Sequence, residues 1–265
     1  MKKTALTAIM ICSVAIYMMS CVNISSGSGE KITGNRVAKE VERGMMDFEA
    51  INVSGSIDVI ISESTDAPVK VSGDENLLDY VETYVKDGTL NVHFKKNIKY
   101  SSGIGLRVTV PNSGKINKIS AAGSSDVIIE GCLVADNISI NISGSSDIKG
   151  NIKAEIVNMD MKGSSDFKGN IEAKTFNLKC SGSSNCTISG KAENCNISTA
   201  GSCDFKGYDF VVDKLKCNTS GSSKIQITCN EELEVATSGS SDIYYKGTGK
   251  VVSVKTSGSS NVRQK

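Results

Sequence analysis

From about Ile119 to the C-terminus, apolar and polar residues alternate with a period of two, and a small-residue step interrupts the alternation at regular intervals. Gly-Ser-Ser-Asp or a close variant begins at Gly123, Gly144, Gly163, Gly182, Gly201, Gly221, Gly239 and Gly258, at intervals of 21, 19, 19, 19, 20, 18 and 19 residues. Four residues after each glycine stand Val127, Ile148, Phe167, Cys186, Phe205, Ile225, Ile243 and Val262. Four before it stand Ile119, Ile140, Met159, Leu178, Ile197, Cys217, Val235 and Val254. Six before it, from the second unit on, stand Ile138, Val157, Phe176, Cys195, Leu215, Leu233 and Val252. The columns at minus six and minus four are two residues apart, which is a strand period and not a helical one.

A fixed period of this length predicts a solenoid, in which each unit buries its apolar face only by stacking on its neighbours. The expected fold is all-β: a single-stranded parallel β-helix, or β-solenoid, with coils of about 19 residues and short strands. Right-handed winding is favoured, because crossovers between parallel strands take that hand. Gly-Ser-Ser is the expected corner, where glycine adopts positive φ and serine hydroxyls bond nearby backbone.

Ile51 and Val59, around Gly55, fall into the same columns and predict a first coil. Between it and Gly123 lies an insertion, with strand-like Val69–Val71, Leu90–Phe94 and Leu106–Val110 and a short helix over Glu75–Tyr84. The domain plan is therefore a leader over 1–20, a flexible linker over 21–44, an N-terminal β region over 45–112 and the repeats over 113–265. The first coil, the segment Gly73-Asp74-Glu75-Asn76-Leu77-Leu78-Asp79-Tyr80-Val81, the strand Asp87-Gly88-Thr89-Leu90-Asn91-Val92 and the serial Gly-Ser-Ser-Asp coils together resemble the auto-transporter adhesin head GIN-domain family. The resemblance runs from about Met46 to the C-terminus. It implies a bacteroidete cell-envelope protein with this fold, and it leaves activity open, since fold does not determine function.

Lys plus Arg is 30 and Asp plus Glu 29, so charge gives no reason to expect nucleic acid as a partner. Lys2 and Lys3 precede an uncharged apolar stretch from Thr4 to Ser20, which reads as a signal peptide that runs up to Cys21. Met18-Met19-Ser20-Cys21 resembles a lipobox, so Cys21 is the expected lipidation site and the lipid anchor the expected membrane contact, at the outer membrane with the face undecided.

Three residues after each glycine the chain places Asp58, Asp126, Asp147, Asp166, Asn185, Asp204, Lys224, Asp242 and Asn261. Stacked, these form a corner ladder that could face a ligand. Asp126, Asp147, Asp166, Asp204 and Asp242 are candidate Ca²⁺ ligands, because hard cations take clustered oxygens. The competing expectation is that each side chain bonds its own turn in Asx fashion. No cofactor is otherwise expected.

Between Ser113 and Val262 there is neither Arg nor His, and the corner Asp residues recur about once per coil instead of clustering. Those features disfavour a carbohydrate-active β-helix enzyme, which needs paired carboxylates and charge stabilisers at one place. His93, the only histidine, has no readable partner set. Apart from Cys12 and Cys21, seven cysteines remain; Cys186, Cys195 and Cys217 occupy apolar columns, and no column has them in consecutive coils, so reduced core thiols are expected. The expected function is non-catalytic adhesion, binding or scaffolding through the solenoid surface, with a glycan, an envelope polymer or a protein as partner. The alternatives are the enzyme and a purely structural periplasmic lipoprotein. An exposed final coil leaves homodimerisation open.

Overall fold

In the computed structural model, which describes residues 30–265, the apolar columns stack in register. Val127 lies opposite Ile148, Ile148 opposite Phe167, and the row continues through Cys186, Phe205, Ile225 and Ile243 to Val262. All but the last are buried. The minus-four column stacks from Ile51 through Ile119 to Val254 in the same way.

The strands in chain order are β1 (Glu30–Thr33), β2 (Ala38–Glu42), β3 (Ala50–Gly55), β4 (Asp58–Ser62), β5 (Lys70–Asp74), β6 (Val81–Lys86), β7 (Thr89–Phe94), β8 (Ile98–Ser101), β9 (Arg107–Pro111) and β10 (Lys118–Gly123). The coils follow as β11 (Val127–Gly144), β12 (Asp147–Gly163), β13 (Asp166–Gly182), β14 (Asn185–Gly201), β15 (Asp204–Gly221) and β16 (Lys224–Gly239). The chain closes with β17 (Asp242–Lys246), β18 (Lys250–Thr256) and β19 (Asn261–Gln264). β1 and β8 form a two-stranded sheet, and the other seventeen strands form one sheet. From β11 to β16 every coil is one extended run of 16 to 18 residues from corner to corner, in place of the short strands the columns predict. Backbone pairing with the coils on either side satisfies nearly the whole run, so strand geometry persists through the bends.

Two inward columns carry no continuous apolar signal. Position minus two holds Val53, Ala121, Ile142, Met161, Cys180, Thr199, Thr219 and Thr237, all buried. Position plus two holds Ser125, Ser146, Ser165, Ser184, Cys203, Ser223 and Ser241, also buried. One column shifts: Leu233 lies opposite Val251, and a register irregularity follows, so Val252 leaves the minus-six row and stands 59% exposed.

The N-terminal region is built into the stack. β3 and β4 pair with the first repeats, and β7 and β9 pair in parallel beneath them, so the inserted residues add one further layer. β6 then runs antiparallel to β7, and β5 and β2 antiparallel beside β9. The helix expected over Glu75–Tyr84 is a 3₁₀ turn over Glu75–Tyr80, and Val81 begins strand β6. Val81, Thr83 and Val85 are β-branched, and pairing with β7 outweighs helical continuation there. Likewise, the stretch expected as linker over 21–44 contains β1 and β2, both paired.

Buried Asp74 ties these pieces together. Its Oδ1 accepts the Arg36 N–H at 2.7 Å, and its Oδ2 accepts the Ser102 hydroxyl at 2.5 Å and the Gly103 N–H at 2.8 Å. Cys21 and the leader over 1–20 lie outside the described residues. Among those described, no helix is long and apolar enough to cross a membrane.

Candidate functional site

The corner is a set of parallel hydrogen-bonded ladders. Each corner glycine has positive φ, from +76° at Gly258 to +107° at Gly201. Stacking adds a second demand for glycine: a Cβ on Gly163 would sit 2.5 Å from the carbonyl oxygen of Gly144. That carbonyl accepts the N–H of Ser164 at 2.8 Å, and every later corner repeats the bond. The first serine thus joins coils through its backbone.

The second serine turns inward. Ser184 Oγ accepts the N–H of Ser165 at 3.3 Å and donates to the Gly163 carbonyl at 3.3 Å. Ser223 and Ser241 do the same one coil apart. A buried hydroxyl without partners is costly, and here each finds both a donor and an acceptor in the preceding coil.

The predicted corner ladder is present and bonds differently from the Asx expectation. Asp58 Oδ1 accepts the N–H of Asp126 at 3.2 Å, Asp126 that of Asp147 at 3.2 Å, Asp147 that of Asp166 at 3.1 Å, and Asp166 that of Asn185 at 3.1 Å. The carboxylates clamp the next coil instead of their own turn, because stacking brings that amide closer to the carboxylate. Asn185 and Asn261 also donate their side-chain amides to Asp166 and Asp242, both at 2.9 Å. From Asp204 onward the backbone takes over: the amides of Asp204, Lys224, Asp242 and Asn261 reach carbonyls of the preceding coil. Lys224 fits the row because its side chain is not needed as an acceptor. Burial, and then the charges of Asp126 and Asp166, push the Asp147 carboxyl above its ordinary value. Among the described residues, no three His, Cys, Asp or Glu side chains converge in a way that would hold a metal ion. One oxygen of each of the first four carboxylates is engaged with the next coil, and the stack spaces the acids in a line.

The outward columns hold a feature that the corner motif hides. Five residues before their glycines, Asn158, Asn177 and Asn196 stand in register on the exposed face. Asn177 Nδ2 donates to Asn158 Oδ1 at 2.9 Å, and Asn196 Nδ2 to Asn177 Oδ1 at 2.8 Å. The row continues as Lys216 and Glu234, whose side chains pair at 3.8 Å. The sequence signal was an asparagine at a fixed offset in three consecutive units. On another face an open groove of about 460 Å³ is lined by Lys168, Asn170, Lys206, Tyr208 and Gln226 among others.

No acid-base constellation accompanies these surfaces. His93 lies in the N-terminal layers, with Nδ1 3.1 Å from the Phe94 carbonyl and 3.4 Å from Glu82, and its ring packs edge-on against Tyr84. Cys132 is exposed, and the other six cysteines of the described residues are buried. Burial pushes the Cys217 thiol up to about 12 and also raises Cys186 and Cys195, as apolar surroundings disfavour a thiolate.

Crystal structures from three bacterial species have the same fold. A "putative adhesin" from Parabacteroides merdae superposes with a TM-score of 0.82 at 21% identity, over 89% of this chain and 100% of that one. A "putative lipid binding protein" from Parabacteroides distasonis gives 0.80 at 24%, over 89% and 100%. A "putative adhesin" from Bacteroides fragilis gives 0.66 at 18%, over 88% and 99%. No curated protein matches the sequence. The family model described as "Putative auto-transporter adhesin, head GIN domain" matches residues 47–168 and again 148–249, overlapping runs of the same stacked coils, and the chain therefore belongs to that family.

Proposed function

We propose that this protein is a non-catalytic binding module of the bacterial cell envelope, held at the outer membrane through lipid on Cys21, which displays its outward β-faces to a polar polymer such as a glycan. The observation that carries this is the Asn158–Asn177–Asn196 row. Three carboxamides fixed by one another on a flat sheet present repeated donors and acceptors at the coil spacing of about 4.8 Å. A polymer of repeating hydroxyls can follow such a row, and the rigidity of the row lowers the entropy lost on binding. Membership of an adhesin-head family agrees with it.

One structural relative is described as lipid-binding. Along the coils from β11 to β16 the exposed apolar side chains Ile128, Val134, Ile156 and Val211 do not lie opposite one another, so the coil faces carry no continuous apolar groove. That favours a polar ligand over an acyl chain.

The test is a screen of the protein against glycan arrays and purified envelope polymers, with an Asn177→Ala variant beside the wild type. We expect retention of at least one polysaccharide and a loss of affinity on the order of tenfold in the variant, the size of one or two lost hydrogen bonds. Retention unchanged by Asn177→Ala would remove the ladder from the site, and silence across all polymers would remove the function. Protease shaving of intact cells reports which membrane face carries the protein.

A further inference from the structure

The interval from Gly201 to Gly221 is 20 residues where the one before it is 19, and the extra residue falls in one place. Thr187 lies opposite Lys206, but Gly190 lies opposite Phe210, so Gly207, Tyr208 and Asp209 stand against only two residues of β14. On the other side Gly207 pairs with Ile227 and Val211 with Thr228, which leaves Tyr208, Asp209 and Phe210 without partners in β16. This is a β-bulge, which breaks the alternation of facing and re-aims side chains. Tyr208 and Asp209 are consecutive, and neither is buried. Both line the open groove of about 460 Å³. The groove also takes in the column five residues after each glycine, where Lys168, Thr187, Lys206 and Gln226 lie in unbroken register. Lys168 and Lys206 are exposed, and neither forms an ion pair among the described residues. They stand two coils apart, roughly 10 Å at the usual strand spacing. Lys246 Nζ, 4.5 Å from the centroid of the Tyr208 ring, adds a third cation beside them.

We propose that this groove binds a carboxylate-bearing sugar chain, at a site separate from the asparagine row. Two exposed ammonium groups without a carboxylate partner are free to donate to the carboxylates of a ligand, and charge assistance makes such bonds the strong ones. The side-chain amides of Asn170 and Gln226 both donate and accept, which suits sugar hydroxyls. Tyr208 offers a rigid ring with an apolar body and a polar tip, matched to a sugar ring with one C–H face. Asp209 accepts hydroxyl bonds and repels further negative charge. Asp166 and Asp204, two residues before the lysines, add to that repulsion along the corner side of the row. A densely charged phosphodiester or sulfated chain meets these acids, whereas carboxylates set apart by neutral hydroxyls fit lysines held two coils apart. The near balance of 30 basic and 29 acidic residues hides the site, because cations and acids on this face fall into different columns.

The experiment is titration calorimetry on the full chain at low salt, with oligomers of galacturonate, of mannuronate and of hyaluronan as probes. The methyl ester of each oligomer that binds and an oligothymidylate of equal charge serve as comparisons. The expected result is that at least one carboxylated oligomer binds, more weakly as salt rises, and that its methyl ester and the oligothymidylate bind far less. Lys168→Gln with Lys206→Gln should lower that affinity on the order of tenfold at an unchanged Tm, since both side chains are exposed. Lys174→Gln with Lys191→Gln, an equal loss of charge at exposed positions outside the groove, should change it little. Absence of binding by all three oligomers overturns the proposal. So does an equal loss in the second pair, which would mean diffuse attraction, or equal binding of the methyl ester or of the oligothymidylate. The asparagine row lies on another face, so such a failure leaves that surface as it stands.

Discussion

An inward-facing serine is a polar group in an apolar core, and it persists only because the preceding coil both accepts its proton and supplies an N–H. Ser184 shows both bonds. Ser184→Ala leaves the Ser165 N–H buried without a partner, and we expect a loss of about 1–3 kcal/mol in denaturant unfolding. Ser184→Cys should cost less, because Cys203 already occupies this column. Equal stability of Ser184→Ala and wild type would show that the hydroxyl ladder contributes nothing. In the sequence this serine reads only as turn chemistry, since an inward and an outward serine have the same composition signal. Phe167 and Val157 were legible as core because an apolar residue recurring at one offset has a single physical explanation. The Asp row was legible as a row; its bonds were not, because the nearest amide belongs to a residue 19 or more positions away.

A single coil cannot bury its own apolar residues, so the element that matters is the interface between two coils. Register depends on the corner, where stacked glycines approach too closely for any Cβ. Deletion of residues 145–163 joins Gly144 to Ser164 and brings Val127 against Phe167 and Ile140 against Leu178, in phase with the existing columns. The shortened protein should fold with an unchanged far-ultraviolet dichroism shape and a smaller urea m value, in proportion to the surface lost. Aggregation or loss of strand signal on this deletion would mean that the coils are not interchangeable units. The asparagine row belongs to this scale too: its three members were visible as a repeated letter, but only the pairing of strands made them one surface.

For the whole molecule, the N-terminal layers cover the end of the stack, and Asp74 holds them together. Hydrogen bonds from Ser102 first, and then from Gly103, Arg36 and Ile104, keep its carboxyl below the ordinary value of 3.8, against an opposing effect of burial. A lowered folded value means that the carboxylate contributes stability above pH 3.8, and that this contribution is lost as pH falls from there through the folded value. Melting curves from pH 7 downward should therefore fall on acidification, with a smaller acid-dependent drop in Asp74→Asn, whose Tm is lower at neutral pH. An identical acid response in both proteins would exclude Asp74 as a source of it. The 3₁₀ turn after Asp74 and the strand that replaces the expected helix were not legible, because β6 owes its form to β7.

The spacing of the corners and the two-residue alternation by themselves determined that this protein is a stack of coils, which side chains fill most of it, and where the chain turns. Both are local periodicities, and a local periodicity specifies which way a side chain faces. Tertiary structure decided what the polar residues do: the second serine turns in, the aspartates reach across coils, and asparagines join into a row. Each of these depends on distances between residues remote in sequence, and those distances exist only once neighbouring coils have come into register.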